Sequence, residues 1–300
     1  MGKNNRAQLF QVDFNHFQKF QTQLHETAGS EKTAKGYLQD VKQFDEFLMA
    51  TGGSLNDLTR VDIQNYMKHL EKLKRFASTI ARHYATITKL CHFIGRPELD
   101  AGIHKREKQS NADIAPKTLK KKELLRIFRI VERLNNVRSE AIFKTLAYTG
   151  MRIAELHSLD RRNLKRGGLV KVIGKRNKER MVPLSTEARN AIEAYLKTRE
   201  DDHPALFLSN KGGRMAVRTI QELIDKVEKL YNAEVEEKDQ LDLHAQLFRH
   251  TFATVLVKDQ KKGLGTVADI LGHEDLQTTR RYAKDSLDDV AEDLDGMTLI

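Results

Sequence analysis

Two arginines, a lysine, a histidine and a tyrosine lie far apart in the second half of this chain, each in a distinct local setting. Arg152 follows Thr149-Gly150-Met151, and Lys175 follows Val172-Ile173-Gly174. Arg249 follows Leu247-Phe248, His273 follows Leu271-Gly272, and Tyr282 follows Thr278-Thr279-Arg280-Arg281. Such a set can break a phosphodiester without a metal. In-line attack on phosphorus builds negative charge on the non-bridging oxygens, and fixed cations stabilise that charge. Arginine suits the task because its planar fork matches two phosphate oxygens and stays charged at working pH. Arg152 and Arg249 are the candidates for this clamp. Tyr282 is the candidate nucleophile. A free phenol titrates at about 10, so it needs nearby cations or a base before it reacts. Capture of the phosphate on tyrosine would keep its bond energy and let a strand reseal without ATP.

The remaining members have supporting tasks. Lys175, in the turn between two strands, is placed to protonate the leaving 5′ oxygen. His273, beyond a helix end, can donate a hydrogen bond to the phosphate. Glu155 lies three residues after Arg152 on the same helical face and can orient a cation. Each residue also has an ordinary reading. A single arginine is usually a surface group, Lys175, Arg176 and Lys178 suit plain phosphate anchors, and a helix tyrosine usually packs its ring. The polar neighbours of Tyr282 speak against a buried ring there. No metal or cofactor is expected: the eleven histidines are scattered, without a His-Glu-x-x-His pattern. Gly263-Leu264-Gly265 lacks the lysine of a phosphate-binding loop.

Precise placement of these side chains needs helices and a hairpin, and the pattern supplies them. Val170, Val172, Val182 and Leu184 sit in two β-branched stretches, 169–173 and 181–184, joined by the polar run 174–179. Pro183 requires an edge strand. Helical spacing appears over Leu124, Leu125, Phe128, Ile130 and Val131, and again over Ile142, Leu146 and Ala147, where Gly150 ends the helix. Further helices are expected near 186–198, 216–231, 246–258 and 264–271. Before residue 100 the pattern is helical throughout, with four helices around one core. Ile63, Tyr66, Met67 and Leu70 form one inward face, and Ile80, Tyr84, Ile87, Leu90 and Cys91 another. Residues 101–116 are charged and aperiodic and read as a linker. The expected fold is therefore mainly α: a four-helix domain over 1–100, then an α+β domain over 117–300 with a small antiparallel sheet.

Composition narrows the partner. The 300 residues carry a net charge of +10, with 31% charged and 39% hydrophobic residues. That excess favours a polyanion, through phosphate neutralisation and counterion release. With Cys91 as the single cysteine, no internal disulfide can form. A polar start and the lack of a long apolar run predict an intracellular protein with no membrane span. Leu287, Val290, Ala291 and Leu294 predict an amphipathic tail helix with an acidic outer face.

The order and settings of these residues resemble the tyrosine recombinase family, which cuts and rejoins DNA. Leu271-Gly272-His273 with Tyr282 nine residues later is the most specific part. Thr33–Asp40 and Ser78–Arg82 add weaker likeness in the first domain. The resemblance implies a C-shaped clamp on double-stranded DNA and a 3′-phosphotyrosyl intermediate. It implies a catalytic set of Arg152, Lys175, Arg249, His273 and Tyr282, with Gln246 where the family usually carries histidine. DNA contacts are expected from Lys35, Ser78, Thr79, Arg82, Arg176, Lys178, Arg280 and Arg281. About a dozen residues precede the first helix, which suggests the simpler Xer-like or transposon-resolvase form. The resemblance further implies a homotetramer docked through its tails, an accessory directionality protein, and work on the bacterial nucleoid in the cytoplasm. Two other readings stay open: a weak or inactive DNA-binding protein on the same scaffold, and a type IB topoisomerase-like enzyme.

Overall fold

A computed structural model describes residues 19–20, 22–24, 31–100, 115–174, 178–273 and 275–283. The chain divides into two compact units, Met1–Gln109 and Ser110–Ile300. Among the described residues no helix is long and apolar enough to cross a membrane.

In the first unit, α1 spans Glu31–Ala50, α2 Arg60–Lys72 and α3 Ala77–Phe93. Thr59 starts α2 by accepting from the Asp62 N–H, while the Asp62 carboxylate accepts from the Thr59 N–H at 2.9 Å. Ile63, Tyr66, Met67 and Leu70 then fall on one buried face, as their spacing predicts. They pack with Phe44 and Leu48 of α1 and with Ile87, Leu90 and Cys91 of α3. Burial pushes the Cys91 thiol up to about 12, so it stays protonated and apolar in character. Ile80 and Tyr84 are only partly buried, at the edge of this core.

Sequence spacing did not reveal a polar cluster inside this unit. Asp40 is 1% exposed, and beside it His83 and Thr86 are buried on α3. Arg82 pairs with Asp40 Oδ2, which also accepts from the Thr86 hydroxyl at 3.0 Å. His83 Nε2 lies 3.4 Å from Asp40 Oδ1, and His83 Nδ1 lies 3.2 Å from the Tyr66 hydroxyl. Asp40 and its partners are more than forty residues apart, beyond the reach of a periodicity argument.

The second unit is built on α5, Val137–Thr149, which follows α4, Lys121–Arg133. Ala141, Ile142, Phe143, Thr145, Leu146 and Thr149 are buried on nearly all sides of α5, the mark of a central helix. Around it pack α4, α7 (Thr186–Lys197) and α9 (Ala245–Thr254). Between them come α6, Ile153–Ser158, and a three-stranded antiparallel sheet. Its strands are β1 (Leu164–Lys165), β2 (Leu169–Ile173) and β3 (Glu179–Pro183), in the order β1-β2-β3. Val170 pairs with Val182 and Val172 with Arg180. Val170, Val172 and Val182 are buried while Leu169 and Ile173 are exposed, so one face of the sheet meets the core. Pro183 lies on the edge strand β3, where its missing N–H is harmless.

The remaining helices are α8, Val217–Asn232, α10, Leu264–Leu271, and α11, Leu276–Arg280; the last is followed by a 3₁₀ turn, Arg281–Ala283. Three local expectations needed correction. Leu125 points out, 49% exposed, while Ile127 is fully buried; Leu125 is two residues from Ile127, on the opposite face. The two-residue strand β1 was missed because it is too short to show alternation. Finally, the helix expected over 246–258 changes at Val255 into a π turn, Val255–Asp259.

Candidate active site

Gly150 sets the first corner of the site. It ends α5 in the left-handed conformation, at φ 59°, which glycine adopts without strain. A Cβ there would also lie 2.4 Å from the Phe252 ring. The chain turns tightly at this point, so Arg152 becomes the N-cap of α6. Its backbone N–H donates to Glu155 Oε2 at 2.7 Å, and its guanidinium to Glu155 Oε1 at 3.1 Å. The Arg152 side chain remains 43% exposed.

Glu155 is buried and receives a second guanidinium. Arg180 on β3 donates from Nη1 and Nη2 to both carboxylate oxygens, each at 2.8 Å. Arg180 Nε donates to the Ile270 carbonyl at the end of α10, at 3.0 Å. One side chain therefore ties the hairpin, α6 and α10 together. Burial alone would raise the Glu155 carboxyl, but hydrogen bonds from Arg180 and the Arg152 backbone hold it below its ordinary value. Gly272 completes this corner. It is left-handed, at φ 68°, and a Cβ would press to 3.1 Å from Arg180.

Arg249 is 1% exposed on α9. Nη1 donates to the Gly150 carbonyl at 2.7 Å and Nη2 to the Leu271 carbonyl at 2.6 Å. The two helix ends that aim Arg152 and His273 thus also hold Arg249. Its Nε is buried and has no hydrogen-bond partner among the described residues. Burial lowers the guanidinium to about 10, with Arg152 adding repulsion, so it remains charged at neutral pH. Arg152 and Arg180 pair with the Glu155 carboxylate, and Arg249 lies close enough to feel its charge. The balance is positive, and an anion with several oxygens would complete it.

His273 follows the turn at Gly272, where its backbone N–H closes back to the Ala268 carbonyl at 2.9 Å. Its Nδ1 lies 2.8 Å from the buried Thr279 hydroxyl. Its ring stacks on that of Tyr282, with centroids 6.1 Å apart and planes inclined by 12°. Burial and the charge of Arg249 lower this imidazole to about 4, so it is neutral in the unliganded protein.

Tyr282 is 1% exposed, contrary to the expectation drawn from its polar neighbours. It sits in a small apolar cluster with Ala253, Val267 and Leu271. Thr279, also buried, belongs to the same turn of chain, so the exposed groups there are Thr278 and Arg280. The phenol hydroxyl lies 3.0 Å from His250 Nδ1. Burial raises the phenol, while Arg249, Arg281 and Arg152 pull it down.

The structure thus gathers Arg152, Arg249, His273 and Tyr282 from four separate stretches. Lys175 and Arg176 lie outside the described residues. Lys178 is exposed beside them. Gln246 is exposed on α9, in the turn before the buried Arg249. His244 caps that helix, its Nδ1 accepting from the Leu247 N–H at 3.1 Å. Arg280 is exposed and Arg281 half-buried. In the first unit Lys35 and Ser78 are exposed, Thr79 is half-buried, and Arg82 is held by Asp40. Sequence reasoning missed Arg180 and the pairing of His250 with Tyr282. Arg180 had a signal: it alternates with buried Val182 on one strand, and an inward cation calls for a carboxylate. His250 had none, since its partner is 32 residues away.

Comparison with known proteins agrees with this geometry. Residues 117–288 match the phage integrase family, and residues 17–97 match the phage integrase N-terminal SAM-like domain. The tyrosine recombinase XerC of Staphylococcus aureus (strain USA300) is 32% identical over 267 residues, 84% of this chain and 86% of that protein. The tyrosine recombinase XerD of Halalkalibacterium halodurans is 28% identical over 299 residues, 93% of this chain and 92% of that one. Among solved structures, the Tn1549 transposon integrase in complex with circular intermediate DNA aligns with a TM-score of 0.73 at 17% identity. That alignment covers 94% of this chain and 99% of the other. A lambda integrase dimer bound to a COC′ core site aligns with a TM-score of 0.71 at 14% identity, over 90% of this chain and 77% of that one. These two structures share the fold, and the sequence matches go further: the chain belongs to the phage integrase family, as a tyrosine recombinase.

Proposed function

We propose that this tyrosine-type site-specific recombinase cuts double-stranded DNA by attack of the Tyr282 hydroxyl on a phosphodiester. Attack forms the Oη–P bond and releases a 5′ oxygen, leaving the DNA joined to tyrosine through its 3′ phosphate. Arg152 and Arg249 hold the non-bridging oxygens, and His273 donates to one of them. Lys175 is assigned the proton for the leaving oxygen. Attack by a second 5′ hydroxyl then reverses the chemistry on the partner strand. The observation that carries the reading is Arg249: a buried guanidinium, anchored by two carbonyls and still holding an unpaired Nε, near a buried phenol that packs on Leu271, the residue whose carbonyl Arg249 bonds.

In this proposal both units contact the DNA duplex. The first would contribute Lys35, Ser78, Thr79 and Arg82, and the second Arg176, Lys178, Arg280 and Arg281. The DNA-bound neighbours support DNA as the partner. Recombination needs two duplexes, so the working assembly is a homotetramer, aided by a directionality protein where one direction must dominate. Its place of work is the cytoplasmic nucleoid.

A pool of nicked duplexes with randomised sequence tests the chemistry directly. Loss of the short strand after cleavage traps the covalent product. Denaturing gels should show protein joined to DNA, and Tyr282→Phe should abolish the adduct. An adduct of undiminished yield in Tyr282→Phe would assign the nucleophile elsewhere.

A further inference from the structure

We propose that His250 is a catalytic residue, whose Nδ1 takes the phenolic proton of Tyr282 as Oη attacks phosphorus and returns it when the strand is resealed. The inference rests on Tyr282 being the nucleophile. In this step the Tyr282 O–H bond breaks, the Oη–P bond forms and the P–O5′ bond breaks. The phenolic proton goes to His250 Nδ1, and the 5′ oxygen takes its own proton from the general acid assigned to Lys175. Resealing runs the same steps backwards.

Geometry comes first. His250 Nδ1 lies 3.0 Å from Tyr282 Oη, within the reach that proton transfer needs. In the Nε2–H tautomer the phenol donates to Nδ1, so the proton already lies along the path it must travel. The other groups near the phenol are poor acceptors. Arg249 and Arg281 are cations. His273 presents its ring face to Tyr282 and directs Nδ1 to Thr279. Gln246 is an exposed amide without a basic site. Tyr282 is 1% exposed, so bulk water has little access to it.

Placement is equally specific. His250 directly follows Arg249, whose guanidinium is fixed by two carbonyls from separate helix ends. The backbone that fixes the phosphate clamp therefore fixes the proton acceptor as well. Burial and neighbouring charge keep the acceptor nitrogen unprotonated. Burial, then Arg281, His244 and Arg249, lower His250 to about 4 without DNA, which keeps Nδ1 free to accept. A phosphodiester held by the arginines would offset their charge and make the imidazole a stronger base at the moment of need.

Single-turnover cleavage of nicked duplexes recovered from the randomised pool provides the test. His250→Gln and His250→Asn keep a polar side chain but remove the basic nitrogen. Both should cleave at least about 100-fold more slowly, while retaining DNA in gel shifts as the parent does. Fluorotyrosine installed at position 282 supplies a more acidic phenol. It should restore much of the rate in His250→Gln and change the parent little. A 5′-bridging phosphorothiolate, whose leaving group needs no proton, should not restore it. Cleavage at the parental rate in both His250 variants would overturn the proposal, as would rescue by the phosphorothiolate or a deficit that fluorotyrosine leaves untouched. Adducts that survive Tyr282→Phe would instead remove the nucleophile assignment beneath it.

Discussion

Each unit of this protein buries a polar cluster, and the two are balanced in opposite ways. In the first unit Asp40 is the centre, and Arg82, His83 and Thr86 turn towards it. Arg82 answers its charge from within the unit, although Asp40 Oδ1 is buried without a hydrogen-bond partner among the described residues. In the second, one carboxylate, Glu155, pairs with Arg152 and Arg180 and lies near a third guanidinium, Arg249, which keeps a buried Nε without a partner. The first cluster ties α1 to α3 through Asp40 Oδ2. A cluster left with surplus positive charge carries a cost that an incoming anion removes. The two clusters thus differ in net charge, while each holds a buried polar atom without a partner among the described residues.

Three experiments probe this contrast. The largest effect should come from Arg249→Met. Loss of the buried cation should slow adduct formation by about 100- to 1,000-fold, with the melting temperature staying close to the parent's. A collapse of folding instead would mean that Arg249 is structural, like Asp40. The converse variant is Asp40→Asn, which removes the charge that Arg82, His83 and Thr86 answer. Denaturant titration should show a loss of about 1–3 kcal/mol, while the cleavage rate at saturating DNA is retained. Unchanged stability would show that the first cluster contributes nothing to the fold.

The third test concerns pH. His250 and His273 are lowered from 6.5 to about 4. As pH falls through 6.5 the unfolded chain binds protons at these positions and the folded one does not, so stability declines between pH 6.5 and 4. The Glu155 contribution, with its pKa below 4.5, is lost only at lower pH. Measured against pH, the denaturation midpoint of a His250→Gln/His273→Gln protein should fall less steeply. Some slope should remain, because His83 in the first unit is lowered in the same sense by burial. An identical slope in parent and variant would show that these two imidazoles titrate alike in the folded and unfolded chain.

Much of the architecture could be read from local pattern. The strand at Leu169–Ile173 and the helix at Leu264–Leu271 lie where β-branching and apolar spacing place them. Gly150 and Gly272 mark helix ends because a left-handed residue closes each helix. Leu125 shows where this kind of evidence fails. An apolar residue one position off the inward stripe looks like a core residue until the neighbouring helices are in place.

Residue type, order and the short motifs around Arg152, Arg249, His273 and Tyr282 were enough to name the family. The sequence could not say that Tyr282 is buried, that Arg180 bridges Glu155 to the end of α10, or that His250 touches the phenol. These depend on contacts between segments tens of residues apart, and periodicity carries information over only a few turns. Burial is what converts the residue list into chemistry. It holds the imidazoles neutral and makes the surplus cation costly.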